Sequence, residues 1–129
     1  MSWEHEEAYS AATDPDLPSD INEGPIDFNQ IIIQNPIATF AVRIAGDSMR
    51  DIGIRTNDIA VVNRAGEVTN GCIVMARIGD GFTIKRYCKG KDGIRLESAN
   101  PDYPDIEITE DTDWEIWGVV KRSIRMLTT

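Results

Sequence analysis

The chain of 129 residues has one histidine and two cysteines. His5 lies among acids near the start, so a Ser-His-Asp triad, a Cys-His pair or a multi-histidine metal site would each have to be built around that single residue. All three are disfavoured, and no metal or other cofactor is expected. Cys72 and Cys88 fall in separate apolar-periodic segments, the pattern of two reduced, buried thiols and not of a disulfide framework. Long apolar runs are also missing. Ile31-Ile32-Ile33 is among the longest, far short of the ~20 residues needed to cross a bilayer. The start, Met1-Ser2-Trp3-Glu4-His5-Glu6-Glu7, has neither the basic residues nor the apolar stretch of a secretory signal. A cytoplasmic protein without a membrane partner is expected.

Lysine and arginine are absent from the first thirty positions, which hold eight acids: Glu4, Glu6, Glu7, Asp14, Asp16, Asp20, Glu23 and Asp27. The formal net charge is −9, yet the remaining 99 residues carry 14 acids against 13 bases. The acidity therefore belongs to an arm and not to the domain behind it. A protein that tracks nucleic-acid phosphates is disfavoured by this balance. Pro15, Pro18 and Pro25 interrupt the arm, and its large apolar residues are few. Such a segment buries too little surface to offset its ordering entropy. The expected organisation is a flexible acidic arm over residues 1–25 and one folded domain over 26–129.

From Asp27 the pattern changes. Asp27 and Gln30 resemble a capping box, and Phe28, Ile31 and Ile32 follow at helical spacing, predicting about two turns of helix before Pro36. Beyond Pro36 the dominant period is two. Ala38, Phe40, Val42 and Ile44 alternate with Thr39, Ala41, Arg43 and Ala45, as in a half-buried strand. Further strands are predicted at Asp58–Asn63, Cys72–Ile78, Phe82–Tyr87 and Glu115–Leu127, with a short apolar stretch at Ile94–Leu96. Gly79-Asp80-Gly81 marks a hairpin; Asn70-Gly71 and Lys91-Asp92-Gly93 mark turns, and Asn100-Pro101-Asp102-Tyr103-Pro104 a rigid loop. The predicted fold is mainly β, a folded sandwich or half-barrel with one short N-terminal helix.

Two segments carry chemistry. In Ala45-Gly46-Asp47-Ser48-Met49 a glycine turns the chain directly after a strand, so Ser48 can present its hydroxyl and its own N–H to one point. Alone, a serine there is usually a turn residue. In Phe82-Thr83-Ile84-Lys85-Arg86-Tyr87, alternation puts Phe82 and Ile84 on one face and Thr83, Lys85 and Tyr87 on the other. If the Lys85 face is solvated, Lys85 is an ordinary strand lysine. If it is covered, desolvation lowers the pKa of the amine and suits it to act as a general base. A serine nucleophile with a neutral lysine base needs no histidine, and it is the nucleophilic pairing this chain can most readily support.

Gly46-Asp47-Ser48-Met49, followed by Asp51-Ile52-Gly53-Ile54 and Asn57-Asp58-Ile59-Ala60-Val61-Val62, resembles the serine motif of the LexA/UmuD family of self-cleaving proteins. Phe82-Thr83-Ile84-Lys85-Arg86 is similar to the lysine motif of that family, and the 37-residue interval from Ser48 to Lys85 is compatible with it. Asn100–Pro104 and Glu115-Ile116-Trp117-Gly118-Val119-Val120 resemble its C-terminal signatures. The likeness spans residues 26–127. Within the family, Ile26–Gln30 through Gln34-Asn35-Pro36 is most similar to the UmuD branch, accessory subunits of error-prone translesion DNA polymerases. The arm, short and acidic, is not expected to hold a DNA-binding helix-turn-helix domain, so no direct sequence-specific DNA binding is expected.

The resemblance implies Ser48 as nucleophile, Lys85 as general base and the backbone N–H groups of Asp47 and Ser48 as oxyanion hole. It implies autoproteolysis of the arm, triggered by a RecA–DNA filament after DNA damage. It further implies a homodimer paired through the strand around Trp117–Ile124, which then joins a UmuC-like catalytic subunit of a Y-family polymerase. Ungapped counting from Ser48 places the scissile bond at Ala12-Thr13, where the family usually has a small residue before Gly. Threonine is bulkier and stiffer there. The other reading is a non-cleaving dimeric binding module, or a repressor-type regulatory domain, that keeps the peptidase fold.

Overall fold

The structure, a computed structural model, describes residues 25–127. The chain divides after Gln34. In the first unit the described portion holds one helical turn, α1 (Phe28–Ile31). The Asp27 carboxylate caps it by accepting the Asn29 N–H at 2.9 Å. The helix has half the expected length because Ile31, its last residue, is followed by Ile32 and Ile33, and β-branched side chains lose rotamer freedom in a helix. The arm proposed over residues 1–25, with Ala12-Thr13 in it, lies almost wholly outside the described residues.

The second unit is a seven-stranded antiparallel sheet: β1 (Thr39–Arg43), β2 (Ile59–Asn63), β3 (Ile73–Ile78), β4 (Gly81–Gly90), β5 (Gly93–Glu97), β6 (Ile106–Ile108) and β7 (Trp114–Ile124). Their order across the sheet is β1-β2-β7-β3-β4-β5-β6. The mainly β expectation holds. Gly79 takes φ +55° at the first central position of the β3–β4 hairpin, the conformation that a primed two-residue turn requires. Strand β4 continues past Tyr87 because its second half, Arg86–Gly90, pairs with β5.

Alternate residues of β3 enter two different cores. Ile73 and Met75 join Ala60, Val62 and Val120 with Phe40, Val42, Ile44 and Ile84 around them; Val74 and Ala76 join Leu96, with Ile106, Ile108 and Ile116. Successive strand side chains point to opposite faces, so both faces of the central sheet are covered. Residues of β1 and β4 share the first cluster although three strands separate them in the order, so the sheet curls on itself. A bulge in β7 assists. Against β3 the register steps from Ile116 to Gly118, leaving Trp117 as the extra residue. A Cβ at Gly118 would lie 2.6 Å from Val62 Cγ1, so only glycine lets β2 approach so closely.

The two cysteines are free and only half-buried, less enclosed than expected. Among the described residues no helix is long and apolar enough to cross a membrane.

Candidate active site

Ser48 follows the end of β1 on a turn fixed from several directions. Gly46 adopts φ +88°, and Met49, 2% exposed, anchors the turn in the interior. Arg50 N–H donates to Asp47 O at 3.1 Å, opening a 3₁₀ turn over Arg50–Ile52 that Gly53 ends at φ +89°. The segment after β5 clamps this turn: Ala99 N–H donates to Ser48 O at 2.7 Å and Asp51 N–H to Ala99 O at 2.8 Å. Buried Asn100 donates from Nδ2 to Asp47 O at 2.9 Å, while its Oδ1 accepts the Asp102 N–H at 3.0 Å. The Ser48 hydroxyl therefore sits on a backbone with little freedom.

Lys85 lies in the first half of β4, which among the described residues pairs only with β3. Ile84 packs into the first core and Tyr87 into the second, so the strand is covered on both sides. The Lys85 side chain is 6% exposed. Its Nζ lies 2.8 Å from Ser48 Oγ and 3.4 Å from Ile84 O. Burial holds the amine below the usual lysine range, and the Asp105 carboxylate acts in the opposite sense. Of the two environments open to Lys85 on sequence grounds, the structure has the covered one.

A cleft opens beside this pair. Val42, Ile44, Met75, Phe82 and Ile84 form its apolar walls and Ser48 lies on its lining. Phe82 is 49% exposed and packs edge-to-face on Trp117 at 4.8 Å, with the Arg64 guanidinium 4.7 Å from the Trp117 ring centroid. Two strand edges flank the cleft that no other described strand pairs with, that of β1 and that of Gly81–Lys85 in β4. Such edges are ready to pair with an extended peptide.

The expected oxyanion donors lie on the same turn. The Asp47 N–H points at the Tyr103 hydroxyl, a long contact of 3.4 Å. Asn100 and Tyr103, read from sequence only as part of a rigid loop, are thus in contact with the serine turn. So is the Asp58–Arg125 pair. Asp58, 3% exposed, accepts Arg125 Nε at 2.9 Å and Nη2 at 2.8 Å together with the Arg55 N–H at 2.9 Å. Arg125 also donates to Gly53 O, where the 3₁₀ turn ends. Hydrogen bonds from Arg125 and the Arg55 backbone hold the Asp58 carboxyl below its usual range against the opposing effect of burial. Among the described residues no group of three or more His, Cys, Asp or Glu side chains could hold a metal ion.

Fold and site together define a class: a curled antiparallel sheet that presents a serine hydroxyl to a desolvated lysine amine beside an apolar, strand-edged cleft. The chain belongs to the Peptidase S24-like family, which matches residues 8–121. It is 40% identical over 101 residues to a LexA repressor of Xylella fastidiosa strain 9a5c, covering 78% of this chain and 48% of that protein. It is 39% identical over 105 residues to LexA repressor 2 of Xanthomonas axonopodis pv. citri strain 306, covering 80% and 49%. LexA repressor 2 of Xanthomonas campestris pv. campestris matches equally well. The chain spans about half the length of the curated relatives it matches.

Proposed function

We propose that this chain is an SOS-type self-cleaving serine peptidase, with Ser48 as nucleophile and Lys85 as general base, whose substrate is its own arm. The observation that supports this most is the 2.8 Å approach of Ser48 Oγ to a lysine amine removed from solvent. A neutral Lys85 takes the Ser48 proton as Oγ attacks the scissile carbonyl carbon. The Ser48 and Asp47 N–H groups stabilise the resulting oxyanion. The lysine then returns the proton to the leaving amine. Water, activated by the same amine, releases the acyl group as a carboxylate and restores both side chains. Tethering the substrate to the enzyme supplies much of the rate through proximity.

The bond cut in this reading is Ala12-Thr13, and the trigger is a RecA–DNA filament. The trimmed homodimer, paired through the strand around Trp117–Ile124, then serves as accessory subunit to a UmuC-like polymerase in translesion synthesis. A second reading is favoured by the names of the relatives, which are repressors: the same peptidase domain regulating transcription as part of a LexA-like protein. Time-resolved intact mass at alkaline pH tests the shared core. Both readings expect first-order loss of the arm that vanishes in Ser48→Ala, and an unchanged mass, with and without a RecA filament, rejects both. Co-purification with a Y-family polymerase subunit separates the first from the second.

A further inference from the structure

The walls of the cleft are apolar, and among the described residues lining it Arg43 is the one with a charged side chain. Arg43 stands at the end of β1, an outer strand of the sheet among the described residues, and is exposed. One guanidinium nitrogen donates to Asn57 O at 3.1 Å, which steadies the group and, among the described residues, leaves its other donors available. Arg43 also borders an adjoining hollow shared with Arg55, Arg125, Asp47 and Asp58. The charges in that hollow are unequally committed. Arg125 is bound to Asp58, and the Asp47 carboxylate accepts the Thr56 N–H at 3.3 Å. The ion pairs among the described residues use Arg50, Arg77, Arg95 and Arg125; neither Arg43 nor Arg55 belongs to one.

The proposed substrate has the opposite character. Residues 1–30 hold eight carboxylates and no lysine or arginine, with Glu4, Glu6 and Glu7 before the Ala12-Thr13 bond and Asp14, Asp16 and Asp20 after it. We infer that Arg43, assisted by Arg55, reads acidic side chains of the arm and sets the register of the peptide over Ser48. The substrate class of the cleft is thus an extended acidic peptide. Arg43 acts as a positioning residue that contacts the substrate away from the scissile bond. This inference rests on the arm being the substrate, as proposed above.

Self-cleavage of the full chain tests it through a double-mutant cycle. Arg43→Gln is combined with neutralisation of either Glu6 and Glu7 to Gln, or Asp14 and Asp16 to Asn. At low salt Arg43→Gln slows cleavage about fivefold, the scale of an exposed ion pair with two carboxylates, and the loss shrinks as salt screens the pair. One of the two arm variants loses a similar factor, and combining it with Arg43→Gln costs little more. Arg43→Lys recovers part of the rate. Strictly multiplicative losses with both arm variants, or a loss indifferent to salt, overturn the inference. A second readout does not depend on cleavage. In Ser48→Ala, the amide resonances of residues 4–20 shift on adding Arg43→Gln and on adding salt. If they do so while the chain with Ser48 intact never cleaves, the peptidase reading fails and the recognition stands. If the chain cleaves and neither rate nor resonances respond to Arg43, the recognition fails and the peptidase reading stands.

Discussion

Asp58 and Lys85 are both nearly removed from solvent, at 3% and 6% exposure, but their surroundings differ in kind. Asp58 has a guanidinium across both its oxygens and a backbone N–H besides. Lys85 faces a serine hydroxyl and a backbone carbonyl, with no carboxylate within 4.0 Å among the described residues. One corner of the domain fixes its charge and the other leaves it costly. A carboxylate that ties loops together benefits from full neutralisation, whereas an amine that must lose and regain a proton is disabled by a strong ion pair. The first arrangement favours the fold and the second favours chemistry.

Removing the two groups of the proposed dyad separates the two corners most sharply. Ser48→Ala and Lys85→Met each reduce self-cleavage by about a thousandfold or more, while circular dichroism shows the sheet intact. Lys85→Met is neutral to stabilising in denaturant melts, by on the order of 1 kcal/mol, because a costly buried amine is gone. The pH profile comes next. Cleavage rises about tenfold per pH unit while Lys85 is mostly protonated, and it levels off at a pH below that of an ordinary lysine titration. Stability follows the same group. Between the lowered folded pKa and the unfolded one, the unfolded chain binds more protons, so stability rises with pH through that window, and Lys85→Met flattens the rise.

Asn100→Ala is smaller in effect. It releases Asp47 O from its side-chain donor and loosens the serine turn, and single-turnover kinetics should slow about tenfold without a shift in the pH midpoint. The smallest effect on cleavage falls at the paired corner. Asp58→Ala leaves the rate of the folded protein within about twofold but lowers stability by about 1–3 kcal/mol, since the Arg55 N–H loses its acceptor. The Asp58 carboxyl is held low in the folded state, so its contribution is present above the unfolded carboxylate pKa. It is lost as pH falls through the lower folded value. Acid melts of wild type and Asp58→Ala should therefore converge.

The two side chains that the structure brings to 2.8 Å are already singled out in the sequence, Ser48 by a glycine turn at a strand end and Lys85 by a run of period two. The burial of Lys85 was not legible. It requires both faces of β4 to be covered, and alternation within one strand cannot show what neighbouring strands bring. Strand β6 leaves no signal in the sequence, because Ile106-Glu107-Ile108 is too short to display a period. Arg125 pairs with Asp58 across 67 positions, and Asn100 with Asp47 across 53. Contacts at such separations leave no local signal. Apolar spacing predicts two turns of helix from Phe28, but three successive isoleucines have poor helix propensity and one turn forms.

The most direct test follows intact mass over time at a pH where the Lys85 amine is largely neutral, in wild type, Ser48→Ala and Lys85→Met side by side. Wild type alone is expected to convert, to a product that begins at Thr13. Conversion at the same rate in either variant, or a wild-type mass that never changes, would contradict self-cleavage by Ser48 and Lys85.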